Sequence, residues 1–314
     1  MEVLYFLEKI RIPVLNEFML AITTLGEETA FLIVALILFW CVDKRRGYYV
    51  LAVGFLGTII GQFLKLLCRV PRPWVADKNF TILEQAREAA SGYSFPSGHT
   101  QSAVGMFGSL AFTEHKKWQR WLFIVLAALV GISRMYIGVH TPADVLVGAA
   151  ISVALLLVLR PICMKEGKEF WWMLGVMTVI AVLYLTYVEL YPFPADVDAH
   201  NLESGTKNAY TLLGCILGMN LTYFVDCKWL RFSVKANWWA QALKVLGGLA
   251  LVLAIKEGLR SPLEMVFCGH LAARSVRYFL MVAVAGCLWP LTFRFFSTMG
   301  CCKKCQKNQE ENHG

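Results

Sequence analysis

The sequence predicts an all-α protein that crosses a membrane several times. Hydrophobic residues make up 57% of the 314 residues and charged residues only 17%, whereas a soluble protein of this length needs more charge to cover its surface. The apolar residues lie in long runs that short basic clusters separate. Because a transmembrane helix needs about 20 predominantly apolar residues, we expect a polytopic helical membrane protein.

Nine apolar runs predict about nine transmembrane helices. The first run is short for a span, so we expect it to recruit residues before Glu27 or to thin the bilayer locally. The predicted spans are Thr29–Val42, Tyr48–Leu64, His99–Thr113, Trp121–Ile132, Pro142–Leu159, Phe170–Val188, Ala209–Val225, Ala242–Ile255 and Tyr278–Phe296.

Four segments are expected along the chain. Residues 1–28 form an N-terminal amphipathic segment at the membrane interface, because charged residues and a proline interrupt an apolar helical pattern there. The charges in this stretch argue against a cleavable signal peptide. Residues 29–160 form the core with the candidate catalytic motifs, residues 161–300 add further transmembrane helices, and residues 301–314 form a cytoplasmic tail.

The ten cysteines predict no disulfide framework. Three of them lie within apolar runs, where cysteine behaves as a small hydrophobic residue. Cys301, Cys302 and Cys305 follow the last apolar run in a basic tail. We expect a reduced juxtamembrane cluster there, with metal binding or lipid attachment as the alternatives.

The basic loops predict the orientation in the membrane. The net charge of +8 comes from short clusters between apolar runs, which is typical of membrane loops, and we expect no nucleic-acid partner. The positive-inside rule then places the N-terminus outside and the C-terminus in the cytoplasm. The basic loops are Lys44–Arg46, Lys116–Arg120, Arg160–Lys168, Lys228–Lys235 and Arg294–Lys307.

Two polar stretches, Arg69–Ser97 and Arg134–Asp144, fall on the outer side in this topology. The second stretch carries His140 and Asp144 one turn apart, at the start of a helix that a Thr-Pro pair begins. A carboxylate at this distance can hold one imidazole nitrogen and leave the other to attack or to carry a proton. The alternative is an ordinary capped helix start with a surface histidine.

A second group of residues at the same outer level is cationic. Lys65, Arg72 and Arg134 run against the positive-inside trend, so we expect an anion to offset their charge. Phosphate fits because an arginine fork binds its oxygens in pairs and lysine adds a point charge. Ser97 and Gly98 open the third span, and their free backbone N–H groups would add to a phosphate site. Taken alone, a lysine at the end of a span, such as Lys65, is more often a snorkelling interface residue than a ligand.

The order and spacing of these residues form a three-part motif. Lys65 precedes Arg72-Pro73 by six intervening residues, Pro96-Ser97-Gly98-His99 follows, and Ser133-Arg134 precedes His140 and Asp144. This pattern resembles the signature of the type 2 phosphatidic acid phosphatase superfamily, and no signature position departs from it. The resemblance covers about residues 50–160 and implies the helical core bundle of that family.

The resemblance also implies a role for each motif residue. His140 would be the nucleophile that forms a phosphohistidine, with Asp144 as its orienting partner and His99 as the general acid. Neither a metal nor another cofactor is implied. The residues implied to bind the phosphate are Lys65, Arg72, Ser97, Gly98 and Arg134.

We therefore expect a metal-independent membrane lipid phosphatase that acts on the outer face. The phosphorylated lipid would be phosphatidate, phosphatidylglycerol phosphate or a polyprenyl diphosphate such as undecaprenyl diphosphate. One alternative is a phosphotransferase that passes the phosphate to a lipid or saccharide. Another is a sugar-phosphate phosphatase, because a chain with nine spans resembles the glucose-6-phosphatase branch of the family in the number of its spans. A phosphate-gripping transporter or lipid-binding protein is the non-enzymatic alternative, and a homo-oligomer through the later spans is left open.

Overall fold

Helices and their connecting loops make up the structure, a computed structural model that describes residues 1–87, 90, 92–165 and 167–299. Within these ranges no β-strand occurs, and the predicted all-α fold is confirmed. The predicted tail with Cys301, Cys302 and Cys305 lies outside the described residues. The α-helices are α1 (Glu2–Lys9), α2 (Pro13–Thr24), α3 (Glu28–Ile37), α4 (Lys44–Cys68), α5 (Pro73–Ala76), α6 (Gly98–Thr113), α7 (Lys117–Tyr136), α8 (Pro142–Cys163), α9 (Lys168–Leu190), α10 (Ala199–Val225), α11 (Trp238–Gly258), α12 (Arg260–Val266), α13 (Ala272–Ala283) and α14 (Phe293–Thr298).

The predicted count of nine spans is not confirmed. Within the described part of the chain, seven helical stretches are long and apolar enough to cross a membrane. An eighth is added if Pro13–Thr24 and Glu28–Val42, which meet at a bend of 51°, form one broken span. The remaining predicted span falls in α6, which has 16 residues. At 1.5 Å per residue, α6 is about 24 Å long, shorter than the ~30 Å hydrocarbon core of a bilayer.

The chain divides into two units, of which the first holds all the candidate site residues. This unit comprises Met1–Ala35 and Tyr48–Ala209. At its centre α6 packs against α7 and α8. The three helices approach closely because small residues lie where they meet: Gly108 of α6 faces Leu156 of α8, and Gly131 of α7 faces Thr100 of α6.

Local sequence signals begin the helices that matter for the site. Thr141 caps α8, and its hydroxyl accepts from the backbone N–H of Asp144, whose side chain in turn accepts from the Thr141 N–H. Pro142 follows at the first helical position, where a missing N–H costs nothing. Ser97 caps α6 in the same manner, accepting from the backbone N–H of Thr100. The start of α6 therefore lies within the sequence motif, and the start of α8 lies between the motif residues His140 and Asp144.

The second unit comprises Leu36–Gly47 and the described residues from Tyr210 onward. Polar contacts join its apolar helices: the Trp40 indole donates to the Ala285 carbonyl at 2.9 Å, and the Trp289 indole donates to the Lys244 carbonyl at 3.1 Å. Lys244 is fully buried, and its ammonium group donates to the Val234 carbonyl at 3.1 Å. The buried ammonium group of Lys244 thus has a backbone acceptor.

We expect Gly148→Ala to destabilise the first unit. A Cβ at Gly148 would lie 2.7 Å from the backbone oxygen of Ser97, so the start of α6 or α8 must shift, which typically costs about 1–3 kcal/mol. Gly175→Ala in α9 is the matched control, because an added Cβ there meets nothing within 4 Å and alanine favours the helix by ~1 kcal/mol. Thermal unfolding in detergent measures both, and equal midpoints would contradict the close contact.

Candidate active site

Six short segments of the first unit supply the candidate side chains. Lys65 lies in the last turn of α4, and Arg72 caps α5. Arg134 lies in the last turn of α7, His140 lies in the turn that follows, and Asp144 lies in the first turn of α8. The remaining candidates, at the start of α6, are Ser97, Gly98 and His99.

The carboxylate of Asp144 is held from three directions. Its Oδ2 atom accepts from the Thr141 backbone N–H at 2.7 Å and from the Ser94 hydroxyl at 2.5 Å. The same oxygen lies 3.5 Å from Nδ1 of His140. Both Asp144 and His140 are at most 2% exposed. The predicted histidine–aspartate pair is thus present, and Ser94 joins it.

His140 has its second ring nitrogen next to Arg72. The Arg72 Nη1 atom lies 3.0 Å from Nε2 of His140. A guanidinium group only donates hydrogen bonds, so Nε2 is the acceptor, and Nδ1 carries the proton of the neutral ring on the side of Asp144. This tautomer leaves the Nε2 lone pair directed at the arginine, where a phosphate bound to that arginine would lie.

Arg72 is fixed by the surrounding backbone. Its Nη1 also donates to the Val139 carbonyl at 2.9 Å, and its Nε donates to the Gly92 carbonyl at 3.0 Å. The residue is only 5% exposed. The guanidinium therefore connects the loop before α6 with the turn that carries His140.

Arg134 is the second buried guanidinium of the site. Its Nη1 donates to the Thr23 hydroxyl at 2.8 Å, and its backbone oxygen accepts from the N–H groups of Val139 and His140. Its Nε atom is buried and has no hydrogen-bond partner within the described residues. An unsatisfied donor beside a nucleophile candidate is a suitable contact for an anion.

The structure corrects the expectation for Ser97. We expected a free Ser97 N–H, but this group donates to the Asp144 backbone oxygen at 3.0 Å. The Ser97 hydroxyl caps α6 and lies 2.9 Å from the Thr100 hydroxyl. Ser97 therefore joins the starts of α6 and α8. Gly98, by contrast, is exposed at the helix N-terminus, where a Cβ would meet nothing within 4 Å.

The remaining candidates, Lys65 and His99, are near enough to affect the pKa of His140. Burial is the main cause that lowers the pKa of His140 well below its ordinary value. The charges of Arg72, Arg134 and Lys65, and then His99, lower that pKa further. The ring is therefore neutral at pH 7, which a nitrogen nucleophile requires.

Two residues of this arrangement were missed from the sequence. Ser94 lies two residues before Pro96, in the loop that leads into α6, and its proximity to the motif was a usable signal. Thr23 lies 111 positions from Arg134 and carries no motif. Only the packing of α2 against α7 brings it to the site.

Comparison with known proteins agrees with the motif. Residues 45–168 match the PAP2 superfamily, and residues 210–301 match the PAP2 superfamily phosphatase transmembrane extension. Phosphatidylglycerophosphatase B of Bacillus subtilis is 32% identical over 160 residues, which are 48% of this chain and 76% of the relative.

The chain belongs to the PAP2 superfamily.

Other known proteins are similar to part of this PAP2 chain. Undecaprenyl-diphosphatase BcrC of Bacillus subtilis is 30% identical over 125 residues, and the match spans 40% of this chain and 62% of the relative. The crystal structure of a transmembrane PAP2-type phosphatidylglycerolphosphate phosphatase from Bacillus subtilis has 30% identity and a TM-score of 0.46, covering 53% of this chain and 85% of that chain. The family resemblance predicted from the three-part motif is confirmed.

We expect the pKa of His140 to appear in the pH dependence of stability. Unfolded histidine takes up a proton below about pH 6.5, whereas the buried ring stays neutral. Wild-type protein therefore loses stability as pH falls below about 6.5, by at most ~1.4 kcal/mol per pH unit from this group. The stability difference between wild type and His140→Gln should shrink from pH 7.5 to pH 5 in thermal unfolding. A difference that grows instead would mean that Asp144 holds the ring charged.

We expect Ser94→Ala to slow turnover of a phosphorylated lipid by about 10-fold to 100-fold. The variant removes a hydrogen bond to a carboxylate, typically ~1.5–3 kcal/mol, and 1.36 kcal/mol corresponds to tenfold in rate. Ser109→Ala is the matched control, since Ser109 is equally buried but donates to the Gly105 carbonyl within α6. The rate of phosphate release is measured for both variants. Equal rates would show that the role of Asp144 does not depend on the hydrogen bond from Ser94.

Proposed function

We propose that the protein is a metal-independent phosphatase of the membrane that hydrolyses a lipid phosphate or diphosphate through a phosphohistidine. One observation carries this proposal: the buried His140 has Nδ1 next to Asp144 and Nε2 next to Arg72. A site that only binds phosphate needs cations, not an imidazole oriented in this way. The non-enzymatic alternative is therefore less well supported.

Each candidate residue has one role in the proposed reaction. Nε2 of His140 forms a bond to phosphorus, and the bond from phosphorus to the leaving oxygen breaks. Burial and then the charges of Arg134, Lys65 and Arg72 lower the pKa of His99, and we propose that the negative charge of the bound phosphate raises this pKa so that His99 takes up a proton. His99 gives that proton to the leaving oxygen, and it then takes a proton from the water that cleaves the phosphohistidine and releases phosphate. The groups that hold the phosphate oxygens and their developing charge are Lys65, Arg72, Arg134 and the backbone N–H of Gly98.

For Ser97 the role is indirect. Its N–H already donates to Asp144, so we propose that Ser97 holds the helix start in place and that the exposed Gly98 supplies the backbone contact. The first backbone N–H groups of a helix lack partners within that helix and favour an anion.

The proposed substrates are phosphorylated membrane lipids. Relatives are named for phosphatidylglycerophosphate and undecaprenyl diphosphate, and phosphatidate belongs to the same chemical class. The sugar-phosphate alternative was suggested by nine spans, a count that is not confirmed. Transfer to a lipid or saccharide acceptor remains an outcome of the test below. Neither a nucleic-acid partner nor a metal is part of the proposal, and a homo-oligomer stays a prediction.

We further propose that the site faces the outer side of the cell membrane, with the C-terminus in the cytoplasm. The distribution of basic loops supports this orientation through the positive-inside rule. An outward site at the interface lets a headgroup reach His140 while the apolar chains stay in lipid.

We expect His140→Ala to abolish phosphate release and His99→Ala to lower it by about 10²–10⁴-fold, as loss of a general acid does. The purified chain in nanodiscs is supplied with phosphatidate, phosphatidylglycerol phosphate, undecaprenyl diphosphate and a sugar phosphate. Wild-type turnover should continue in excess chelator. Labelled phosphate on an added acceptor, with little free phosphate, would identify a transferase.

Two results would overturn the proposal. Full activity in His140→Ala would exclude the phosphohistidine, and complete loss of wild-type turnover in chelator would exclude the metal-independent mechanism. His115→Ala is the control for a histidine outside the site, since His115 lies in the turn between α6 and α7. That variant should keep wild-type turnover.

A further inference from the structure

We propose that Asn201, at the start of α10, is a positioning residue that acts on the phosphate-binding guanidinium of Arg72. The inference rests on the proposed function, because it concerns the reaction of the same site. Asn201 lies between the two segments that match the family models, residues 45–168 and 210–301. Its role therefore belongs to this chain's own geometry and not to the three-part motif.

Asn201 holds the loop that precedes α6. Its Oδ1 atom accepts from the backbone N–H of Tyr93 at 3.0 Å. Gly92 adopts a positive φ of 79°, and a Cβ added there would overlap the Asn201 amide. The turn at Gly92 thus closes directly on this side chain, in a conformation that glycine adopts without strain.

The same turn holds Arg72. The Gly92 carbonyl accepts from Nε of Arg72 at 3.0 Å, and Nη1 of that guanidinium lies 3.0 Å from Nε2 of His140. The carbonyl of Gly92 and the N–H of Tyr93 belong to one planar peptide unit, so Arg72 and Asn201 bind its two ends. A shift of this turn therefore moves the acceptor that aims Arg72.

Asn201 is itself fixed at the helix start. Asp198 accepts through Oδ1 from both the backbone N–H and the side-chain amide of Asn201, each at 2.8 Å. The backbone N–H of Asp198 donates to the Tyr93 hydroxyl at 3.1 Å. Asn201 is only 8% exposed, so its rotamer has little freedom.

A further ion pair attaches the same segment to the phosphate side of the site. Arg69 Nη1 lies 3.0 Å from Asp196 Oδ1, although this pair is exposed and worth little by itself. Arg72, Gly92, Tyr93, Asp198 and Asn201 also line one cavity of about 290 Å³. The contacts therefore form one continuous set from the start of α10 to Arg72.

The first test is Asn201→Ala, which removes the acceptor for the Tyr93 N–H. We expect kcat/KM to fall by about 10-fold to 100-fold, the scale of loss for a misplaced group in an otherwise intact site. The dissociation constant for inorganic phosphate, measured by calorimetry on the full chain in nanodiscs, should rise as well. Thr206→Ala is the control in the same helix, because Thr206 donates within α10 to the Leu202 carbonyl.

A double-mutant cycle separates positioning from loss of folded protein. If Asn201 acts through Arg72, Asn201→Ala should have little further effect on phosphate affinity in an Arg72→Lys chain, since that chain lacks the guanidinium that Asn201 positions. Equal losses in both backgrounds would mean a general structural effect and would overturn the proposal.

A rescue experiment is the second way to separate a positioning role from a loss of folded protein. Asn201→Asp keeps an acceptor for Tyr93 but places a carboxylate against Asp198, so it should be impaired. Asp198→Asn in the same chain removes that repulsion and supplies an amide donor, and it should recover most of the phosphate affinity. Impairment that persists in this double variant counts against the role of Asn201.

Turnover and phosphate affinity together distinguish a failure of the proposed function from a failure of the positioning role of Asn201. Wild-type protein that binds phosphate without turnover refutes the proposed function, and the phosphate affinity of Asn201→Ala still decides the positioning role. Wild-type turnover with unchanged kcat/KM and affinity in Asn201→Ala refutes positioning alone. A wild-type chain that neither binds inorganic phosphate nor releases phosphate from a phosphorylated lipid refutes both proposals.

Discussion

The contacts of Asp144 are the constraint on which the rest of the candidate site depends. Its backbone oxygen accepts from the N–H of Ser97, which joins the starts of α6 and α8. Its carboxylate accepts from Ser94 and Thr141 and lies beside His140. One residue thus sets the position of a helix start, a loop and an imidazole, and hydrogen bonds to a buried carboxylate are among the stronger ones in proteins.

The charge of the site is not balanced by its own carboxylate. Arg72 and Arg134 are both nearly buried, and Lys65 also acts on the His140 ring. Asp144 offsets one positive charge, and several buried like charges are costly unless an anion completes the arrangement. Burial first, and then the same excess of positive charge, lowers the pKa of His140 and keeps the ring neutral. That charge would also hold a phosphate at the Nε2 atom, so binding and nucleophile activation share an electrostatic cause.

The sequence predicted the proximity of His140 and Asp144 correctly, because His140 directly precedes the cap of α8 and Asp144 lies in the first turn of that helix, so short spacing brings them together. It was wrong about the free N–H of Ser97, because the partner of that group is a backbone oxygen 47 positions later in the chain. The predicted count of nine spans is not confirmed, for a related reason. An apolar run shows where a helix lies, but α6 begins at a capped Gly98 and ends after 16 residues, which its hydropathy does not show.

By itself, the sequence determined the helical class, the helix starts at Ser97 and Thr141, and the motif that identifies the PAP2 superfamily. These follow from composition, periodicity and caps, which are local properties of the chain. Only the tertiary structure decided that Ser94 contacts Asp144, that Thr23 holds Arg134, and that Asn201 closes on the turn beside Arg72. Each of these contacts joins residues 50 to 111 positions apart, and helix packing, not local spacing, brings such residues within hydrogen-bond distance.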